Sequence, residues 1–196
     1  MRLFFPRRLA TWLLNRFGWR VVYRPPELAK AVIIFYPHTS NWDFVVGILA
    51  RSAIDLPVYF AGKDSLFRWP YGWVFRGLGG LPVNRREHTG LVAQLAEEFK
   101  RRESFYLAIA PEGTRRATTS MKSGFYRVAL LAQVPLGCAF IDYPRREVGI
   151  REFLQLSGNE AADLARIAEV YAGCHGKHPA QEGPFTFAAK PAAGRE

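Results

Sequence analysis

The sequence predicts an α/β protein with a mostly parallel central sheet flanked by helices and an amphipathic helix at its N-terminus. Three observations carry that expectation. Ala31–Tyr36 (AVIIFY) and Phe105–Ala110 (FYLAIA) are continuous apolar runs of the kind buried on both faces of a parallel sheet. Segments with apolar residues at helical spacing lie between such runs, the alternation expected of an α/β layer architecture. The chain has 196 residues, 49% hydrophobic and 22% charged, enough for a real core in one domain and incompatible with a largely disordered protein.

Each element can be justified in turn. Leu3–Phe17, placed on a helix, gathers Phe5, Leu9, Trp12, Leu13 and Phe17 on one broad arc, with Arg7, Arg8, Thr11 and Asn15 opposite. The apolar stretch is too interrupted to span a bilayer, which needs about 20 apolar residues. It also lacks the unbroken apolar centre and cleavage site of a signal peptide. An interfacial membrane anchor and a helix packed on the protein's own core both fit this pattern. Pro37 ends the strand Ala31–Tyr36, and Asn41–Ile54 reads as a helix. Pro57–Ala61 is a second strand, followed by aromatic, glycine-rich turns to Gly80, and Leu81–Val83 is a short third strand. Leu91, Val92, Leu95, Ala96 and Phe99 recur at helical spacing before the strand Phe105–Ala110. Gly124–Gln133 is a further helix, Leu136–Ile141 a last strand and Glu160–Ala172 a late helix; the Pro/Gly/Ala-rich end reads as loose. The division is residues 1–24 as amphipathic anchor, 25–175 as the main domain and 176–196 as a loose tail.

Charge narrows the partners. There are 27 Lys and Arg against 17 Asp and Glu, a formal charge of +10, which favours nucleic acid, an anionic membrane surface or phosphorylated substrates. Arg2, Arg7, Arg8, Arg16, Arg20 and Arg24 precede the first acid. Two cysteines make neither a disulfide framework nor a zinc cluster, and His88, His175 and His178 lack metal-ligand spacing. No phosphate-cradling G-x-x-x-x-G-K-[ST] or G-x-G-x-x-G loop occurs, which argues against nucleotide hydrolysis and dinucleotide binding. No helix-turn-helix, zinc-finger or RNA-binding signature supports nucleic acid as the partner.

Three polar groups follow expected strands, where α/β proteins form their ligand sites. In His38-Thr39-Ser40-Asn41-Trp42-Asp43, one helical turn can bring the Asp43 carboxylate to one imidazole nitrogen and leave the other to take a proton, with a substrate hydroxyl as nucleophile. Ser40-x-x-Asp43 equally reads as a helix capping box. In Pro111-Glu112-Gly113-Thr114-Arg115-Arg116, Gly113 permits a tight turn while Thr114 and Arg115 offer a hydroxyl and a guanidinium fork to a phosphate. Gly80–Arg86 ends in paired arginines. Lys63, Lys122 and Gly124 extend this basic rim, although each such group alone also reads as a charged loop.

Together these residues resemble the glycerolipid acyltransferases, the family of the lysophosphatidic acid acyltransferases. The resemblance runs from about Val32 to Ile141 and rests on His38-x4-Asp43, the glycine-rich strand ending at Arg85, Glu112-Gly113-Thr114-Arg115, and Val134-Pro135-Leu136. Asn84 stands where an acid is common, and Gly137-Cys138-Ala139 departs from the usual ending of the fourth motif. The resemblance implies acyl transfer from an acyl thioester, of coenzyme A or acyl carrier protein, to a lysophospholipid hydroxyl. No bound cofactor or metal is expected. It implies His38 as general base, Asp43 as its orienting acid, and Arg85, Glu112, Gly113, Thr114, Arg115 and Lys63 around the acceptor's phosphate. With membrane amphiphiles as substrates, the N-terminal helix becomes an anchor to an anionic surface, on the cytoplasmic face, peripheral or monotopic. A non-catalytic phosphate- or lipid-binding module is the rival reading.

Overall fold

The computed structural model describes residues 5–23, 28–83 and 90–188. Its strands are β1 (Arg20–Tyr23), β2 (Lys30–Tyr36), β3 (Val58–Lys63), β4 (Gly80–Val83), β5 (Phe105–Ile109), β6 (Leu136–Asp142) and β7 (Glu147–Leu154). They form one seven-stranded sheet in the order β1-β7-β6-β2-β5-β3-β4, in which β6 and β7 alone pair antiparallel. The helices are α1 (Arg7–Arg16), α2 (Trp42–Ala53), α3 (Gly72–Gly77), α4 (Leu91–Arg101), α5 (Gly124–Ala132) and α6 (Glu160–Val170).

Alternation along β2 divides the core. Val32, Ile34 and Tyr36 face one side, where Leu95 and Phe99 of α4, Phe125 and Val128 of α5, and Leu164 and Ile167 of α6 close over them. Phe99 and Phe105 meet edge to face at 4.7 Å. Ile33 and Phe35 face the other side, Phe35 beneath α1 and α2 and Ile33 against Leu56, Tyr106 and Ile150. There Ala10 and Leu14 of α1 bury against Val46, Ala50 and Ala53 of α2. Phe44 of α2 packs on Phe60 and, across the helix, on Phe75 of α3. The helices α1, α2 and α3 thus form a layer on one face, with α2 in the middle.

The strands expected between Ala31 and Ile141 form where the apolar runs place them. The N-terminal helix is shorter than the periodicity suggests: it begins after Pro6, whose backbone carbonyl receives the Ala10 amide at 3.0 Å. Two strands fall outside the expectation. β1 is only four residues long, and β7 interleaves charges with its apolar positions. Arg151 of β7 is accommodated by lying over the Phe140 ring at 4.4 Å, with its Nη2 3.9 Å from buried Asp142. Gly149 of β7 is required by its neighbour, because a Cβ there would fall 1.8 Å from the Val22 carbonyl oxygen.

Residues 176–188 differ from the loose tail expected of 176–196. Phe185 stacks on Tyr171 at 5.2 Å and 11°, and Phe187 packs on Phe125 and Tyr126 at 5.9 and 5.7 Å. The Met121 amide donates to the Thr186 carbonyl at 2.7 Å. Two aromatics two positions apart outweigh the Pro/Gly/Ala composition by burying apolar surface. Residues 189–196 lie outside the described part.

Candidate active site

Parallel neighbours end together, so the loops after β2, β5 and β3 meet at one edge of the sheet. His38 lies two residues past the end of β2, and Asp43 is in the first turn of α2. His38 Nδ1 is 3.3 Å from Asp43 Oδ2, an ion-pair separation at which the N–H is not aligned on the oxygen. The same Oδ2 accepts the Ser40 amide at 2.8 Å, and Ser40 Oγ accepts the Trp42 amide at 3.2 Å. One carboxylate thus both caps the start of the helix and lies beside the imidazole. Asp43 is fully buried, and its Oδ1 accepts the Tyr143 hydroxyl at 2.7 Å. Burial, and then this bond to a carboxylate, push the Tyr143 phenol well above its ordinary range. Tyr143 is in turn held by the edge of Trp19 at 5.1 Å.

Glu112 follows β5 and is also fully buried. Its Oε2 accepts the His38 amide at 2.7 Å and its Oε1 accepts the Gly183 amide at 3.3 Å. Burial raises its pKa, against the lowering effect of those two amides. Glu112, expected beside the acceptor's phosphate, is turned inward here. Its two oxygens are committed to the backbone donors of His38 and Gly183. Glu112 instead ties the histidine loop to the loop carrying Thr114 and Arg115, and ties both to the C-terminal segment.

The rest of that loop faces outward. Gly113 turns the chain at φ +66°, with the Lys122 stem against its open side, where a Cβ would meet Cγ at 3.2 Å. The Lys122 amide donates to the Pro111 carbonyl at 2.7 Å. Thr114 and Arg115 are exposed, and Arg115 pairs with no carboxylate among the described residues. Lys63 ends β3, exposed, on the same edge. Arg85 lies outside the described residues.

Sequence reasoning missed Tyr143 and the crossing segment. Tyr143 directly follows β6, which runs parallel to β2, so the strand-end rule that picked out His38 also points to it. The crossing segment gave no such signal. Its His178 amide donates to Thr39 Oγ1 at 3.1 Å. The Gln181 amide nitrogen, in the orientation its surroundings satisfy, reaches the Arg115 and Thr39 carbonyls at 2.6 and 3.1 Å.

The structure thus gathers a histidine beside a buried carboxylate, together with outward-facing Thr114, Arg115 and Lys63, at the C-terminal edge of the parallel strands. The chain belongs to the Acyltransferase family, whose model matches residues 18–141. Among solved structures it is similar to the 1-acyl-sn-glycerophosphate (LPA) acyltransferase PlsC from Thermotoga maritima. That similarity has a TM-score of 0.60 and 18% identity, covering 84% of this chain and 74% of the other. No curated protein matches the sequence.

Proposed function

We propose that the protein transfers a fatty acyl group from an acyl thioester to the hydroxyl of a lysophospholipid, with 1-acylglycerol 3-phosphate as the acceptor, in phospholipid biosynthesis. The observation that carries this reading is the His38 ring, with Nδ1 turned to buried Asp43 and Nε2 left for a substrate proton. Nε2 takes the proton from the acceptor hydroxyl as its oxygen attacks the thioester carbonyl. When the C–S bond breaks, the thiolate leaves with that proton. Asp43 stabilises the imidazolium between the two steps, and the Tyr143 hydroxyl holds Asp43 in place. Thr114, Arg115 and Lys63, with Arg85, orient the acceptor's phosphate, which contributes mainly through positioning. Coenzyme A or acyl carrier protein supplies the thioester. The protein works at the cytoplasmic face of a membrane without spanning it. Exposed Leu9 and Trp12 on α1 and Phe17 just after it, among Arg7, Arg8 and Arg16, support that location. No helix among the described residues is long and apolar enough to cross a bilayer.

The test is thiol release from palmitoyl-coenzyme A, with and without lysophosphatidic acid, for the wild type and His38→Ala. Acceptor-dependent release that falls by about 10²–10⁴-fold in the variant is expected of a lost general base. Undiminished release would sink the mechanism.

A further inference from the structure

Residues 64–77 present a second apolar surface that the reaction does not use. Trp69 is 93% exposed, Trp73 72% and Tyr71 69%, three large aromatics within five residues, with Leu66 at 41% beside them. Single exposed apolar residues are ordinary, but a cluster of this kind marks an interaction site.

The segment is firmly built. Phe67 is buried beneath it, so close to Gly62 and Gly80 that a Cβ at either would come within 2.9 Å of its ring. Arg76 Nη1 donates to the Phe67 carbonyl at 3.1 Å while its guanidinium lies 5.7 Å from the Phe67 ring centre. The Gly72 amide donates to the Arg68 carbonyl at 2.9 Å. Phe67 and Phe75 thus point inward and fix the backbone, and the two tryptophans and the tyrosine are held in solvent.

Three observations identify the occupant. Tryptophan and tyrosine are the side chains that settle at the headgroup level of a bilayer. The surrounding charge is basic: Lys63, Arg68 and Arg76 against Asp64, which is itself 3.8 Å from Arg68. The surface also continues across the helix layer. Phe75 of α3 abuts Phe44 of α2, whose outer side exposes Trp42 and Val45, and α1 with its exposed Trp12 lies beyond. His38 and Asp43 sit at the start of the central helix of that layer.

We propose that the Trp69–Trp73 segment docks on an anionic lipid bilayer as a second contact point, on the far side of α2 from α1. Two contacts flanking α2 fix the tilt of the protein, so that the His38 site opens toward the lipid surface. The inference deepens the membrane-lipid reading above and rests on it for its purpose, but its test does not depend on turnover.

The full chain is mixed with vesicles of equimolar phosphatidylcholine and phosphatidylglycerol and sedimented, beside the combined variant Trp69→Ser, Tyr71→Ser, Trp73→Ser. All three side chains are exposed, so circular dichroism should report an unchanged fold. The variant should lose roughly tenfold or more in vesicle affinity, since removing interfacial aromatics removes buried apolar area. It should still acylate a short-chain, monomeric lysophosphatidic acid at the wild-type rate and lose rate only on acceptor embedded in vesicles. Equal vesicle affinity in the two proteins overturns the proposal, as does the absence of vesicle binding by either. A solution mass that falls in the variant while vesicle affinity holds also overturns it, assigning the face to a second copy. Lost vesicle binding in a protein that acylates no lysolipid upholds the docking surface and refutes the reaction.

Discussion

Replacing Glu112 by Gln separates a structural tie from a substrate contact. The carboxylate accepts two amides, from His38 at 2.7 Å and Gly183 at 3.3 Å, inside a fully buried site. Glutamine keeps one acceptor oxygen and turns an NH2 toward the other donor. It retains the shorter bond and loses the longer one, a cost of about 1.5 kcal/mol for a hydrogen bond to a charged acceptor. At about 2–4 °C per kcal/mol for a domain of this size, the melting temperature should fall by about 3–6 °C. The pH dependence should change as well. A carboxyl whose folded pKa is raised contributes stability that is present below its ordinary value of 4.5 and lost as the pH rises through the raised value. The wild type should therefore lose stability over that window, and Glu112→Gln should lose less. Thermal melts from pH 4 to 8 read both effects, and acyl transfer by the same samples completes the comparison. The loosened histidine loop should lower kcat while leaving the acceptor KM nearly unchanged. An unaltered melting temperature with a tenfold higher acceptor KM would refute this reasoning, because Glu112 would then be facing the substrate.

Two further outcomes follow from the same geometry. Tyr143→Phe removes the 2.7 Å bond to Asp43 Oδ1, so acyl transfer should fall by about one order of magnitude and its pH profile should shift, whereas mere loss of packing would leave the profile in place. Asp163 accepts the Ser157 amide, hydroxyl and the Gly158 amide at 2.9–3.1 Å and the Tyr126 hydroxyl at 2.9 Å; although burial alone would raise its pKa, these bonds hold it below 3.8. Its ionised form thus stabilises the fold above that pH and ceases to as the pH falls through the lowered value, so the deficit of Asp163→Asn in urea melts should be about 2 kcal/mol near pH 6 and shrink toward pH 2.

Much of the sheet was legible because its middle strands are covered on both faces and so read as unbroken apolar runs: Val32–Phe35, Phe105–Leu107 and Leu136–Ile141 are nearly all buried. The edge was illegible for the converse reason. β7 keeps Arg151 and Glu152 among its apolar residues, and only the Phe140 ring and Asp142 carboxylate make the arginine welcome there. Pro6 marked the start of α1, but periodicity carried the helix past it. At the site, residue spacing put His38 and Asp43 together correctly, since a helical turn fixes their separation. It could not tell which way Glu112 faces, because the donors that claim its oxygens lie 74 and 71 residues away. The aromatic pinning of residues 185 and 187 depended likewise on partners that composition does not reveal.

The crossing segment also sets an order of events. Thr39 waits for the amide of His178, 139 residues later, and Glu112 for that of Gly183. During synthesis, α1 and the aromatic turns leave the ribosome long before those partners exist. Those N-terminal parts are therefore available first, and the loop holding His38 is tied down last, through contacts of long sequence separation. The loop holding His38 is thus completed only once residue 183 has reached its place beside Glu112.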